Sequence, residues 1–257
     1  MINLKTKDEI QTMHEGGRRH AEILRALSEM VAPGVSTLIL EEEAQRLIKA
    51  HGDKPAFLNY SPAGASRPFP AALCVSINEE IVHGIPNEKE RILNQGDVVS
   101  LDLGLIHKGL ITDSAVTVPV GAVDDESRKL LDVAKRALDA GIRAAKPGNY
   151  TGDIGAAICK VVGGTGFSLA EDLAGHGVGY SVHEDPYVPN VGVAGEGDEL
   201  VPGMVIAIEP MVNVGGSEIS DTDDGYTIVT ADGLRSAHFE HTVAITEKGN
   251  IILTSSE

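Results

Sequence analysis

The sequence predicts an α+β fold in which two similar halves, each helix, helix, then strands, face each other across one central antiparallel sheet. Three observations carry this expectation. Helical segments come in pairs, each pair broken at a Pro-Gly step, and the step at Pro33-Gly34 recurs at Pro147-Gly148, 114 residues later. The runs Leu93–Asp102 and Leu200–Glu209 share a pattern, Leu-x-x-Gly-x-Val followed by alternating apolar residues, with an acid six places after the glycine. No linker of low complexity separates the halves, so residues 1–257 read as a single domain.

The elements follow in order. From Lys7 to Val31, the residues Ile10, Met13, Gly17, Ala21, Leu24 and Leu27 recur at helical spacing, and Ala32-Pro33-Gly34 ends the helix. On this reading His14, His20 and His51 are solvated helix positions. A second helix spans Ser36 to Ala50, capped by Ser36 or Thr37, with Glu41 to Glu43 early in it. The stretch from Asp53 to Pro70, rich in Pro and Gly, is irregular. Strand-like runs follow at Ala72–Ile77, Val98–Ile106 and Leu110–Val120, with His107-Lys108-Gly109 as a hairpin turn. The second half repeats the plan, with helices at Asp125–Ala145 and Thr151–Val162 and then strands bearing His176, Glu209 and Glu240. His241 should point to the opposite face of its strand from Glu240.

Composition narrows the function. The chain has 257 residues, 42% of them hydrophobic, enough to bury a full core. Its 38 acids against 21 Lys and Arg give a formal charge of −17, which argues against broad nucleic-acid binding through phosphate neutralisation. Bound cations would cancel part of that deficit. Cys74 and Cys159 form no CxxC pair, so neither a disulfide framework nor a Cys-type zinc site is supported. The polar start has no apolar signal core, and no run approaches about 18 apolar residues. The expectation is a soluble cytoplasmic protein with no membrane partner.

Asp102 in SLDLG, Asp113 in ITDSA, Glu209 in IAIEPM and Glu240 in HFEHTV each interrupt an apolar, β-prone run, and His176 stands between two glycines in AGHGVG. A buried carboxylate costs several kcal/mol or is forced to neutralise. Four of them need shared positive charge, and few Lys or Arg lie nearby to supply it. A pair of divalent ions is the economical source. Folding the hairpin leaves Asp102 and Asp113 nearly opposite one another, about 5 Å apart on one face, where like charges repel unless cations lie between them. Mostly oxygen ligands suit two ions roughly 3.5–4 Å apart, of the Mn, Fe or Co type, with zinc also compatible.

These motifs, together with Cys74–Pro86 (CVSINEEIVHGIP) and the full Ala174–Pro186 segment (AGHGVGYSVHEDP), make the chain resemble the type I methionine aminopeptidases over nearly its whole length. The resemblance implies a pita-bread fold with pseudo-two-fold halves. It implies removal of the initiator methionine from nascent proteins by two divalent ions (Co, Mn, Fe, Zn or Ni). Asp102, Asp113, His176, Glu209 and Glu240 would bind the ions, Asp113 and Glu240 bridging them, and Glu209 would also act as general base. His83 would contact the scissile amide nitrogen and His183 the carbonyl oxygen. Phe69, Cys74, Val182 and Tyr226 fall where the family lines the methionine side-chain pocket. Val182 stands where an aromatic is frequent, Tyr226 where a tryptophan is common, and the loop Ser61–Arg67 looks longer than usual.

The chain shows no N-terminal zinc-finger extension, and His183–Glu209 is too short for the helical insertion of type II enzymes. Two other functions share the fold. An Xaa-Pro peptidase would use the same ligands but usually carries an added N-terminal domain, for which there is no room before residue 7. A non-catalytic peptide-binding module would lack some of the ligands, and all five are present. The expected partners are nascent N-termini. Nothing demands more than a monomer, and ribosome docking would need a local basic patch that is not evident.

Overall fold

In the computed structural model, which describes residues 2–62 and 64–255, the first helix opens where Thr6 and Glu9 form a capping box. The Thr6 hydroxyl accepts the Glu9 amide, and the Glu9 carboxylate accepts the Thr6 amide at 2.8 Å. Helix α1 (Lys7–Met30) is followed by α2 (Thr37–Ala50), capped by Ser36. Strands β1 (Lys54–Pro55), β2 (Leu73–Ile77), β3 (Glu80–Val82), β4 (Val98–His107) and β5 (Leu110–Pro119) complete the first half. The second half has α3 (Asp125–Ala144), α4 (Thr151–Val162), β6 (Ser168–Leu169), β7 (Ala174–Gly177), β8 (Glu184–Pro189) and β9 (Val205–Ile208). It continues through β10 (Met211–Asn213), β11 (Ile219–Asp221), β12 (Ile228–Thr230), β13 (Ser236–His238), β14 (His241–Thr246) and β15 (Gly249–Ile252). No helix intervenes between β8 and β9, and no helix among the described residues is long and apolar enough to cross a membrane.

Each half builds its own apolar layer. Ile23, Leu27, Leu40 and Ile48 of the first helix pair pack on Leu73, Leu101 and Leu103. Leu130, Val133, Ile154 and Ile158 of the second pack on Ile206, Ile208 and Val243. A third cluster draws on both halves, bringing Phe57, Phe69 and Cys74 against Val182, Val205 and Ala244. The buried stripe of α1 is rotated from the expected one: it includes Gly16, His20 and Ile23, while Ile10 and Ala21 are only half-buried. His20 is therefore not solvated. It is fully buried, with Nδ1 at 3.1 Å from the Thr112 hydroxyl, whereas His14 and His51 are half-buried.

Every strand pair is antiparallel, but the single sheet expected is divided into sets of four, three, three and five strands. The β4–β5 hairpin turns at Lys108-Gly109 alone, both at positive φ (49° and 87°), as a two-residue turn of the primed type requires; His107 belongs to the strand. Asp53–Pro70 is irregular apart from β1, which pairs with β4. Between the halves, β5 runs beside the segment His238–Thr242 without a continuous ladder. Hydroxyls fill the gap: Thr117 Oγ1 donates to the His238 carbonyl at 2.7 Å, Ser114 Oγ to the Glu240 carbonyl at 2.8 Å, and Thr242 Oγ1 to the Asp113 carbonyl at 2.7 Å. One backbone bond crosses there, from the Glu240 amide to the Ala115 carbonyl at 3.0 Å. This seam carries the acids of both halves.

Candidate active site

Asp102 and Asp113 leave the hairpin on one face. Asp102 lies opposite Ala115 and Asp113 opposite Gly104, so the two are offset by two residues on a diagonal, not directly paired. Their carboxyl groups nevertheless act on each other, the charge of Asp102 helping to push Asp113 upward. Glu209 and Glu240 are not within strands as expected. Glu209-Pro210 separates β9 from β10, and Phe239-Glu240 separates β13 from β14, so both chains break at the same level. The break follows from the change of sheet: Ile208 pairs with His241 in one set and Met211 with His238 in another. Freed from ladder geometry, the two glutamates turn toward the hairpin acids.

His176 is placed by its glycine neighbours. A Cβ on Gly175 would stand 2.3 Å from the Ala207 carbonyl oxygen, and one on Gly177 would stand 2.1 Å from that of Asp185. Only bare backbone lets β7 pack this closely. The Gly177 carbonyl lies 2.9 Å from His176 Nδ1, so Nδ1 donates and Nε2 is left facing the acids. That nitrogen lies 3.4 Å from Glu209 Oε1, among carboxylates whose like charges conflict. One donor atom each from Asp113, His176 and Glu240 lie within 4.8 Å of one another.

The electrostatics repeat the conflict. Burial raises Asp102 to about 7, with Glu209 adding to the rise. Burial, then Asp102 and Glu209, push Asp113 well above the usual range, and burial with Asp113 and Glu209 does the same to Glu240. Burial would raise Glu209 as well, but His238, His176 and His183 bring it below its ordinary value. Asp102 Oδ1 and Asp113 Oδ1 are buried without a hydrogen-bond partner among the described residues. Glu41 shows how this fold satisfies an ordinary buried acid: its two oxygens accept the Ala72 and Leu73 amides at 2.8 and 2.9 Å. At the seam, one oxygen of each hairpin acid has no such donor among the described residues. Orphaned oxygens, a histidine nitrogen and convergent carboxylates fit divalent cations.

A cavity of about 740 Å³ opens on this cluster, and every residue expected at the site lines it, including His83, His183, Phe69, Cys74, Val182 and Tyr226. His83 has φ of +60°, and burial lowers its pKa. His183 is exposed as a residue, but its ring sits in the cleft, edge-on to His176 with centroids 4.4 Å apart, and burial there lowers its pKa to about 4. Phe69 and Tyr226 pack edge to face at 5.1 Å, beside the Cys74 thiol, whose pKa burial raises. Pro62 and Ala65 of the Ser61–Arg67 loop line the cavity; Ala63 lies outside the described residues.

Sequence reasoning missed two residues here. His238 is buried with Nε2 at 3.5 Å from Glu209 Oε2, and only its place one residue before Phe239-Glu240 hinted at it. Tyr60, in a segment read as irregular, hydrogen-bonds His183 Nδ1 at 2.8 Å. His241 points away from the acids, to the Thr254 hydroxyl at 2.9 Å, as expected.

Comparison with known proteins agrees with this geometry. Residues 11–247 match the profile of metallopeptidase family M24. A methionine aminopeptidase of Aquifex aeolicus is 46% identical over 98% of both chains, and methionine aminopeptidase 1 of Bacillus subtilis is 44% identical over 99% of both. The crystal structure of methionine aminopeptidase from Thermotoga maritima superposes with a TM-score of 0.94 at 41% identity, covering 99% of this chain and 100% of that one. A prolidase from Pyrococcus furiosus, at 24% identity and a TM-score of 0.75, shares the fold; the match covers 66% of its chain. The two-half architecture is the pita-bread fold.

Proposed function

The chain belongs to metallopeptidase family M24, among its methionine aminopeptidases, and from that premise we propose how its residues release an N-terminal methionine. The observation that carries the reading is the convergence of Asp113, His176 and Glu240 beside orphaned carboxylate oxygens. Asp102, Asp113, His176, Glu209 and Glu240 would hold two divalent ions, with Asp113 and Glu240 shared between them. Bound there, such ions offset the buried charge, acidify water and polarise a carbonyl.

The remaining work falls to the chain. Glu209, held below its ordinary pKa chiefly by His238, takes the proton of the hydrolytic water as the water oxygen bonds to the carbonyl carbon, and returns it to the amine nitrogen as the C–N bond breaks. His183 donates to the carbonyl oxygen as charge develops on it, and His83 contacts the scissile amide nitrogen as the amine departs. Phe69, Cys74, Val182 and Tyr226 form an apolar slot suited to an unbranched thioether side chain. The substrates are nascent N-termini with a small second residue, processed by a monomeric cytoplasmic enzyme of one domain.

With manganese or cobalt supplied, the purified protein should release methionine from Met-Ala-Ser and not from Met-Lys-Ser. Proline-directed cleavage, or no metal-dependent turnover, would overturn the reading. Glu240→Ala should lower both metal stoichiometry and turnover.

A further inference from the structure

The Tyr60 hydroxyl has His183 as its one side-chain hydrogen-bond partner among the described residues, at 2.8 Å from Nδ1, with ring centroids 5.5 Å apart. A neutral imidazole carries one N–H, and the partner of one nitrogen decides which nitrogen bears it. We propose that Tyr60 is a positioning residue for peptide-bond cleavage: its hydroxyl donates to His183 Nδ1 and so keeps the ring proton on Nε2, the nitrogen left to meet the substrate carbonyl. This rests on the assignment of His183 to the carbonyl oxygen. The opposite tautomer would turn an Nε2 lone pair toward the lone pairs of that oxygen and forfeit the hydrogen bond.

The phenol is anchored well enough for the task. The Tyr60 amide donates to the Phe57 carbonyl at 2.9 Å, and the Tyr60 carbonyl accepts the Phe69 amide at 2.8 Å. The Asn59 amide closes the loop base on the Phe69 carbonyl at 2.9 Å. The loop is then tied to the far wall of the cavity. Tyr226 donates its hydroxyl to the Arg67 carbonyl, and the Arg67 guanidinium donates to the Asp224 carbonyl at 2.8 Å while pairing with Glu88. Tyr60 thus couples the slot that holds the methionine side chain to the ring placed at the scissile carbonyl. A group held from a rigid base retains its aim when substrate enters.

Two measurements test this. Nitrogen NMR of labelled histidines, on the metal-free and the zinc-loaded protein, should show His183 protonated on Nε2 in the unsubstituted chain and a mixture of tautomers in Tyr60→Phe. With manganese and Met-Ala-Ser, Tyr60→Phe should lower kcat about five- to tenfold, with KM moving less than about twofold. In a His183→Ala background, Tyr60→Phe should cost nothing further. A His183 ring protonated on Nδ1, a silent Tyr60→Phe, or equal losses in both backgrounds would overturn the proposal while leaving the role of His183 intact. If His183→Ala itself leaves kcat unchanged, the assignment of His183 fails, and the proposal with it.

Discussion

One hydroxyl closes on both backbone groups of Asp113: Thr242 Oγ1 donates to the Asp113 carbonyl at 2.7 Å and accepts the Asp113 amide at 2.8 Å. The two residues belong to different halves of the chain, 129 positions apart. Thr242 also lies two places after Glu240, whose own amide reaches the Ala115 carbonyl. The spacing between the backbones that carry Asp113 and Glu240 is therefore set by side chains filling the seam. A direct strand ladder would instead have fixed the strands about 4.7–4.9 Å apart through backbone bonds alone.

Thr242→Val keeps the volume and removes both bonds, leaving a buried N–H and a buried C=O without partners. The cost should be about 2–4 kcal/mol in denaturant unfolding. The lost anchor behind Asp113 should also weaken divalent-metal affinity by about 10- to 100-fold in calorimetric titration, as loss of a supporting hydrogen bond does elsewhere. Unchanged affinity would show that the seam hydroxyls carry fold stability only.

Much of this site was legible in the residues themselves. Asp102, Asp113, His176, Glu209 and Glu240 stood out because an acid in an apolar run has no cheap explanation, and the glycines around His176 marked a close backbone approach that the structure contains. The strand breaks at Glu209 and Glu240 were not legible. Alternating apolar residues continue through Met211 and Val243, and only long-range pairing divides them between two sheets. His20 was misread because a polar residue on a helix normally faces water; its partner, Thr112, is 92 residues away. Tyr60 was missed because a loop residue has no periodicity to betray its direction.

Lys5 and Glu184 form an ion pair at 2.6 Å with both side chains almost fully enclosed. Glu184 Oε1 also accepts the Ser181 amide at 2.8 Å, so the pair braces the turn that presents Val182 and His183. Lys5→Met would strand the carboxylate in a buried site, at a cost of about 3–5 kcal/mol. Adding Glu184→Gln should recover part of that loss in the same unfolding assay. Identical stabilities for the single and double variants would argue against a buried uncompensated charge.

Removing metal should leave the carboxylate cluster without its counter-charge. Saturating manganese, at about 100 times its dissociation constant, should stabilise the chelator-treated protein by about 2.7 kcal/mol, or roughly 5–10 °C in Tm for a chain of this size. Asp113→Asn should reduce that shift by weakening the site, whereas Asp232→Asn, at an exposed turn outside the cavity, should not.

His20 supplies a pH dependence separate from the acids of the cavity. Burial lowers its pKa to about 3, while the unfolded chain titrates near 6.5. The unfolded state therefore binds the proton that the folded state refuses. The contribution to stability is fully present above pH 6.5 and is lost as pH falls toward 3. Between pH 7 and pH 5 the loss should be about 2 kcal/mol. His20→Gln retains a group able to hydrogen-bond Thr112 but does not titrate. The difference in unfolding free energy between the parent and His20→Gln should therefore move by about that amount over the same interval. Comparing the two chains cancels the titrating groups that do not interact with His20; His241, whose charge adds to the lowering at His20, is replaced by Gln in both chains. A difference that stays constant with pH would mean that His20 takes up its proton inside the fold, and that the space around its ring is open to water.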